Sequence, residues 1–103
     1  MTQWFDLCAR GDIPEGEVIE RIAGERTVAL YALSDGVFAT AAICTHGNAR
    51  LCGGFVEDDG QIECPLHQGR FDIRSGKALC EPLEHDLAVY PVRVDGDRVW
   101  VQL

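Results

Sequence analysis

Short apolar runs separated by turn residues make up most of the chain. No segment of ten or more residues carries a clear helical stripe with caps. The runs predict strands at residues 4–8, 17–22, 27–33, 37–43, 70–73, 87–94 and 98–103. Turn residues lie between them, among them a tight hairpin turn at 34–36. Strands at this spacing predict an all-β fold, an antiparallel sandwich or barrel.

Two features of the last predicted strands indicate which residues face the core and which strand lies at an edge of its sheet. Val99 and Val101 alternate with polar neighbours, which places Trp100 on the polar face. Pro91 interrupts the strand predicted at 87–94. Because proline has no N–H to donate, we expect an edge position or a bulge there.

The middle of the chain differs in texture from both ends. Residues 44–82 contain six of the eleven glycines and four of the five cysteines. This composition predicts a loop-rich insertion carried on a β scaffold, an arrangement that often bears function. We therefore expect a single domain over residues 1–103 with an inserted subdomain at about 43–83.

Charge and hydropathy exclude some functions. The formal net charge is −8, from 9 basic and 17 acidic residues among 103. Nucleic acids and anionic membranes need basic clusters, so neither is an expected partner. The first residues lack the basic and apolar regions of a secretory signal, and no stretch approaches the ~18 apolar residues of a membrane span. We expect a cytoplasmic protein.

The cysteines and histidines indicate a metal site. Five cysteines, an odd number, do not pair off as a disulfide framework. Cys44 and His46 form a C-x-H motif, and Cys64 and His67 form a C-x-x-H motif seventeen residues further on. These four residues fit either a tetrahedral zinc site or a [2Fe–2S] cluster with cysteines on one iron and histidines on the other. Zinc motifs group like ligands, whereas each pair here is mixed, which favours two metals.

The motifs and their flanks resemble the Rieske family. The matching segments are CTHGNA at 44–49, CPLHQGRFD at 64–72 and SGKA at 75–78. They are similar to ferredoxin components of bacterial ring-hydroxylating dioxygenases, and the resemblance covers nearly the whole chain. It implies a Rieske fold in which residues 43–83 are the cluster-binding subdomain.

The resemblance also implies roles for particular residues. Cys44 and Cys64 would bind the inner iron, and His46 and His67 the outer iron near solvent, where the electron leaves. The backbones of four glycines would approach the cluster sulfurs: Gly47, Gly53, Gly54 and Gly69. Pro82 would lie in a third loop over the cluster. For Gly53, Gly54 and Pro82, plain turn formation is an equal alternative.

The function that the resemblance implies is electron transfer rather than catalysis. The chain would carry single electrons from a flavin-dependent ferredoxin reductase to a terminal aromatic-ring-hydroxylating oxygenase, in the breakdown of aromatic hydrocarbons. We expect a monomer with one [2Fe–2S] cluster. The alternatives are a permanent redox subunit of another oxidoreductase, a zinc-stabilised binding module, and a Rieske domain cut from an oxygenase.

The flanking residues predict a low reduction potential. High-potential Rieske proteins join their two loops by a disulfide, but Ala49 and Leu66 stand at those positions here. They also bond cluster sulfur with a serine and a tyrosine hydroxyl, where this chain has Gly69 and Phe71. Fewer hydrogen bonds stabilise the reduced cluster less, which predicts about −150 mV.

The remaining cysteines and the third histidine are not expected to bind metal. Cys8 is predicted to be a small buried side chain, and Cys80 to be packed. Cys52 could be redox-active, but a non-ligand thiol is the favoured interpretation. His85, between Glu84 and Asp86, is predicted to be a solvated surface residue.

Overall fold

Regular structure in the described part of the chain consists of β-strands and two 3₁₀ turns. The computed structural model describes residues 3–45, 49–57, 60–65, 69–79 and 85–103. The 3₁₀ turns are Arg10–Asp12 and Leu51–Gly53. The strands are Trp4–Ala9 (β1), Val18–Ala23 (β2), Arg26–Leu33 (β3), Gly36–Ala41 (β4), Phe55–Val56 (β5), Gln61–Glu63 (β6), Arg70–Asp72 (β7), Val89–Tyr90 (β8), Val92–Asp95 (β9) and Arg98–Gln102 (β10).

The largest sheet has the strand order β2-β3-β4-β8, and every neighbouring pair is antiparallel. Its central strand β3 is apolar on both faces, and residues 28–33 are all buried. A strand buried on both sides reads as a continuous apolar run, which is what the sequence contains. The turn before β4 is the predicted hairpin, and it ends at Gly36, whose φ of 147° favours glycine.

The second sheet joins the two ends of the chain in the order β1-β10-β9. Val99 and Val101 are completely buried while Trp100 is half-buried, so the predicted alternation is confirmed. The strand predicted at 87–94 is divided at Pro91: β8 before it pairs with β4, and β9 after it pairs with β10. The proline therefore marks the point where the chain passes from one sheet to the other, and not a bulge within one strand.

A third, small sheet lies between β4 and β8 in the sequence and has the order β5-β6-β7. Only β7 falls in a predicted strand. The two missed strands have two and three residues, too few for any alternation to be recognised. The third sheet carries the segment in which the glycines and cysteines are concentrated.

The described buried side chains form two apolar clusters, one on each face of the largest sheet. One contains Val28, Leu30, Val99 and Val101 and joins the largest sheet to the second sheet. The other joins the largest sheet to the third; its buried members are Ala29, Tyr31, Leu33, Ala42, Cys44, Leu51, Ile62, Cys64, Phe71, Ile73 and Leu87. We call this second group the loop-side core. Within the described residues, no helix is long and apolar enough to cross a membrane.

Candidate metal centre

The first cysteine motif lies in a short loop with a closed stem. The stem is an antiparallel bridge between Ile43 and Arg50, and the amide of Cys44 donates to the carbonyl of Ala49 at 2.9 Å. Cys44 is buried, whereas the next residue, Thr45, is exposed. The chain therefore leaves the core within one residue of the cysteine, and Ala49 packs against that core.

The second cysteine motif repeats this geometry. Glu63 and Arg70 pair as the last step of the β6–β7 ladder, and the amide of Cys64 donates to the carbonyl of Gly69 at 2.7 Å. Cys64 is buried and Pro65 is exposed. In both loops the cysteine is the first residue after the stem, and its amide bonds to the carbonyl five residues later.

Both cysteines belong to the loop-side core, so the two loops start from the same apolar cluster. Cys44 is 3% exposed and Cys64 1% exposed. Phe71 is fully buried in the same cluster and brings a ring without a hydroxyl. Two thiols that face one dry core are shielded from water on their inner side, which suits the buried half of a metal cluster.

The 3₁₀ turn that follows the first loop packs against the start of the second. A Cβ built on Gly54 would lie 1.9 Å from the carbonyl oxygen of Glu63, so the two backbones are in direct contact. The amides of Gly53 and Gly54 donate to the carbonyls of Arg50 and Leu51. Both amides are therefore engaged in the turn, which supports turn formation, one of the two alternatives from the sequence.

A third segment is attached to the first loop. The hydroxyl of Thr45 donates to the carbonyl of His85 at 2.9 Å. One residue further on, the Asp86 carboxylate accepts from the amide of Ala78 at 2.9 Å. These two bonds fix the end of the segment that contains Pro82, although Pro82 itself lies outside the described residues.

The stem of the first loop is also held by an acidic residue of β2. One oxygen of the Glu20 carboxylate forms an ion pair with Arg50, and the other accepts a hydrogen bond from the Cys52 thiol at 2.8 Å. This bond to Glu20, together with burial, raises the pKa of Cys52. The sequence held no signal for the contact, because Glu20 lies thirty residues before Arg50 in an otherwise ordinary strand.

Half of the predicted ligand set can be placed. The structure brings Cys44 and Cys64 to one core, while His46 and His67 lie outside the described residues, as do Gly47, Leu66 and Cys80. Within the part of the chain that is described, no three His, Cys, Asp or Glu side chains form a metal-binding group. The thiols that are present suit iron–sulfur ligation, since thiolates are the usual ligands of such clusters.

Cys8 and His85 lie where the sequence placed them. Cys8 is 3% exposed and packs between the largest and second sheets. His85 is exposed. Cys52 is half-buried, and its thiol is engaged by Glu20. Trp4 is half-buried at the edge of its sheet, with the Arg93 guanidinium 4.8 Å from the centre of a ring of its side chain.

An all-β scaffold that carries two matched cysteine loops on one apolar core suits a small iron–sulfur protein. Comparison with known protein families identifies which family this is: residues 3–91 match the Rieske [2Fe–2S] domain. The chain belongs to this family, and its cofactor is a Rieske [2Fe–2S] cluster. The predicted all-β antiparallel fold and the predicted resemblance are both confirmed.

Similar proteins cover the chain almost completely. The ferredoxin component of the naphthalene 1,2-dioxygenase/salicylate 5-hydroxylase systems of a Ralstonia species is 47% identical over all of this chain and 99% of its own length. The ferredoxin of carbazole 1,9a-dioxygenase from Nocardioides aromaticivorans IC177 superposes with a TM-score of 0.91 at 29% identity, over 96% of both chains. A chain of the complex of reduced oxygenase and oxidized ferredoxin in carbazole 1,9a-dioxygenase gives 0.87 at 33% identity, over 95% of this chain and 91% of its own.

Proposed function

We propose that this protein is the Rieske ferredoxin of an aromatic-ring-hydroxylating dioxygenase system and carries one electron at a time to its terminal oxygenase. The observation that carries the proposal is the pair of loops that present Cys44 and Cys64 from one buried core. The relatives that match the whole chain are named as ferredoxin components of such systems. The protein has no catalytic role of its own in this proposal.

The cluster is held by Cys44 and Cys64 on the inner iron and by His46 and His67 on the outer iron. The cluster would supply a single reversible redox step. The protein binds the cluster, shields it from water and exposes one edge of it to its partners. Burial of both cysteines supports an inner iron kept away from water. Since the residues after each cysteine are exposed, the histidines that follow are well placed in sequence to reach the surface.

The same proposal sets the boundaries of the functional unit. Residues 1–103 form a single Rieske domain, and residues 43–83 are its cluster-binding subdomain. The third sheet supports this boundary, because β5 to β7 pair among themselves. We place the protein in the cytoplasm as a monomer.

Two partners exchange electrons with this protein: a flavoprotein ferredoxin reductase that reduces it and a terminal oxygenase that oxidises it. The oxygenase is the better supported, because a structural neighbour lies in a complex of reduced oxygenase and oxidized ferredoxin. The net charge of −8 favours partners that present basic surfaces. Such complementary charge accelerates encounter more than it strengthens the complex.

A rapid-mixing experiment tests the proposal. The protein is reduced with dithionite, freed of excess reductant and mixed without oxygen with the oxidised oxygenase of a naphthalene dioxygenase system. We expect the absorbance of this protein to return to the oxidised form as the oxygenase is reduced, and the rate to fall with added salt. The reverse half-reaction uses the reduced reductase of the same system.

A His67→Cys variant, in which a thiolate replaces an imidazole, is the matched control. It should change the spectrum and lower the potential without removing the cluster. Failure of the wild-type protein to exchange electrons with the oxygenases of naphthalene, 2,4-dinitrotoluene and anthranilate systems would contradict the proposed place in the chain of electron transfer.

A further inference from the structure

Glu20 is a mostly buried carboxylate close to the end of the first cysteine loop. It lies in the middle of β2, and its side chain is 15% exposed. Side chains two residues apart in a strand share a face, so Glu20 faces the same way as Val18, which packs against the loop-side core. A charge in such a position requires compensating partners, because water is largely excluded from it.

Among the described residues the Glu20 carboxylate has two partners, and both come from the same short segment. One carboxylate oxygen forms an ion pair with Arg50, and the other accepts from the Cys52 thiol at 2.8 Å. Leu51, between them, is fully buried in the loop-side core. Three consecutive residues are thus fixed, two by Glu20 and one by apolar packing.

These three residues begin where the first cysteine loop ends. Arg50 forms the bridge with Ile43, and the amide of Leu51 donates to the carbonyl of Ala42 at 2.8 Å. That bridge is isolated, whereas the stem of the second loop is the end of the three-pair ladder between β6 and β7. The first loop therefore has the weaker stem of its own and depends more on an anchor from outside.

We propose that Glu20 is a positioning residue for the [2Fe–2S] cluster: by holding Arg50 and Cys52, it fixes the first ligand loop. This inference rests on the proposed function, in particular on Cys44 and His46 as ligands. In this role Glu20 acts through the stem of the loop. Its negative charge also disfavours the added electron of the reduced cluster, so Glu20 lowers the reduction potential.

Cys52 acts here as a hydrogen-bond donor and not as a nucleophile. The bond to Glu20 raises the pKa of the thiol, so it stays protonated at neutral pH and continues to donate. A serine keeps a donor at this place, and an alanine does not. The pair Cys52→Ser and Cys52→Ala therefore separates the hydrogen bond from the mere presence of a small side chain.

The experiment compares Glu20→Gln with Glu25→Gln, a matched loss of one negative charge at an exposed residue of the β2–β3 turn. Three quantities are measured on the cluster-loaded proteins: the reduction potential, the EPR spectrum of the reduced state, and the rate of cluster loss to a chelator. Glu20→Gln should raise the potential, shift the g values and accelerate cluster loss by about tenfold, as expected for residues that support metal ligands. Glu25→Gln should match the wild-type protein.

The cysteine variants supply a milder second test that does not change a charge. Cys52→Ala should accelerate cluster loss and Cys52→Ser should restore the wild-type rate. Alkylation at Cys52, located by peptide mass spectrometry, should be faster in Glu20→Gln than in Glu25→Gln, because the thiol is released.

The outcomes distinguish the inference from the function on which it rests. A Rieske EPR signal in the wild-type protein, with Glu20→Gln equal to Glu25→Gln in potential and in cluster loss, would overturn the positioning role alone. Equal rates for Cys52→Ala and Cys52→Ser would likewise exclude a part for the thiol bond. A wild-type protein without the Rieske signal would overturn the proposed ligand set and this inference with it.

Discussion

The contact between Gly54 and the backbone just before Cys64 gives a sharp prediction. Alanine at position 54 would place its Cβ 1.9 Å from the carbonyl oxygen of Glu63, while real Cβ contacts essentially never fall below 3.0 Å. The two segments must therefore separate by more than an ångström. Gly54 has a φ of −92°, which alanine adopts freely, so the effect is one of space and not of backbone strain.

The expected cost of Gly54→Ala is about 1–3 kcal/mol, the usual penalty for adding a methyl group where the surroundings are closely packed. With a urea dependence of about 1–3 kcal/mol/M, typical of a small protein, the unfolding midpoint should fall by about 1 M. Because the displaced carbonyl belongs to the residue before Cys64, the cluster should also be lost faster to a chelator.

Gly53→Ala is the matched control. The Cβ at this neighbouring position would meet Pro65 at 3.9 Å, an ordinary van der Waals contact. Replacing a glycine whose backbone alanine can adopt reduces the freedom of the unfolded chain and stabilises by about 0.4–1 kcal/mol. Urea unfolding and chelator-driven bleaching of both variants check the reasoning. Equal midpoints and equal bleaching rates for the two would refute it.

Three further predictions follow from single contacts and from the cluster environment. The buried Tyr31 hydroxyl forms a hydrogen bond with Thr40 at 2.7 Å, and Thr40→Val leaves this hydroxyl without that partner. The variant should lower the free energy of unfolding in urea by about 1–3 kcal/mol, more than the ~1 kcal/mol expected for Tyr31→Phe. The reverse order would contradict the assigned hydrogen bond. The ion pair with Arg74 holds the pKa of Asp35 below its usual range. The pair therefore stabilises the fold above about pH 4, and this stabilisation is lost as pH falls through the lowered pKa. The difference in free energy of unfolding between wild type and Asp35→Asn should shrink in acid, and a difference that stays constant with pH would count against the pair. The reduction potential should lie near −150 mV, and a value above zero would show that the sulfur environment was misjudged.

Most of the scaffold could be predicted from the sequence, because continuous apolar runs and period-two alternation both indicate strands and leave few alternatives. The run at 27–33 is buried along almost its whole length, and the alternation around Trp100 places two valines inside. What the pattern could not give is which sheet each strand joins. Pro91 divides one predicted strand between two sheets, and the two short strands β5 and β6 carry no periodic signal.

At the site, the cysteine ligands could be predicted from local motifs. The contacts that hold the ligand loops in place join residues that are far apart in the sequence. Cys44 and Cys64 stand in motifs that can be recognised directly, and both reach the same core. Glu20 and Arg50 meet across thirty residues, and no motif links them. Gly54 could be expected to form a turn, but its close approach to Glu63 depends on how the third sheet folds back.

The central claim is that two cysteines and two histidines share one [2Fe–2S] cluster, and EPR spectroscopy before and after dithionite reduction tests it most directly. The account predicts a silent oxidised protein and a rhombic signal on reduction, with an average g value below that of an all-cysteine [2Fe–2S] cluster. The signal should be abolished in Cys44→Ala and Cys64→Ala. No signal in either state, with zinc in the metal analysis of protein prepared with ample iron, would contradict the account.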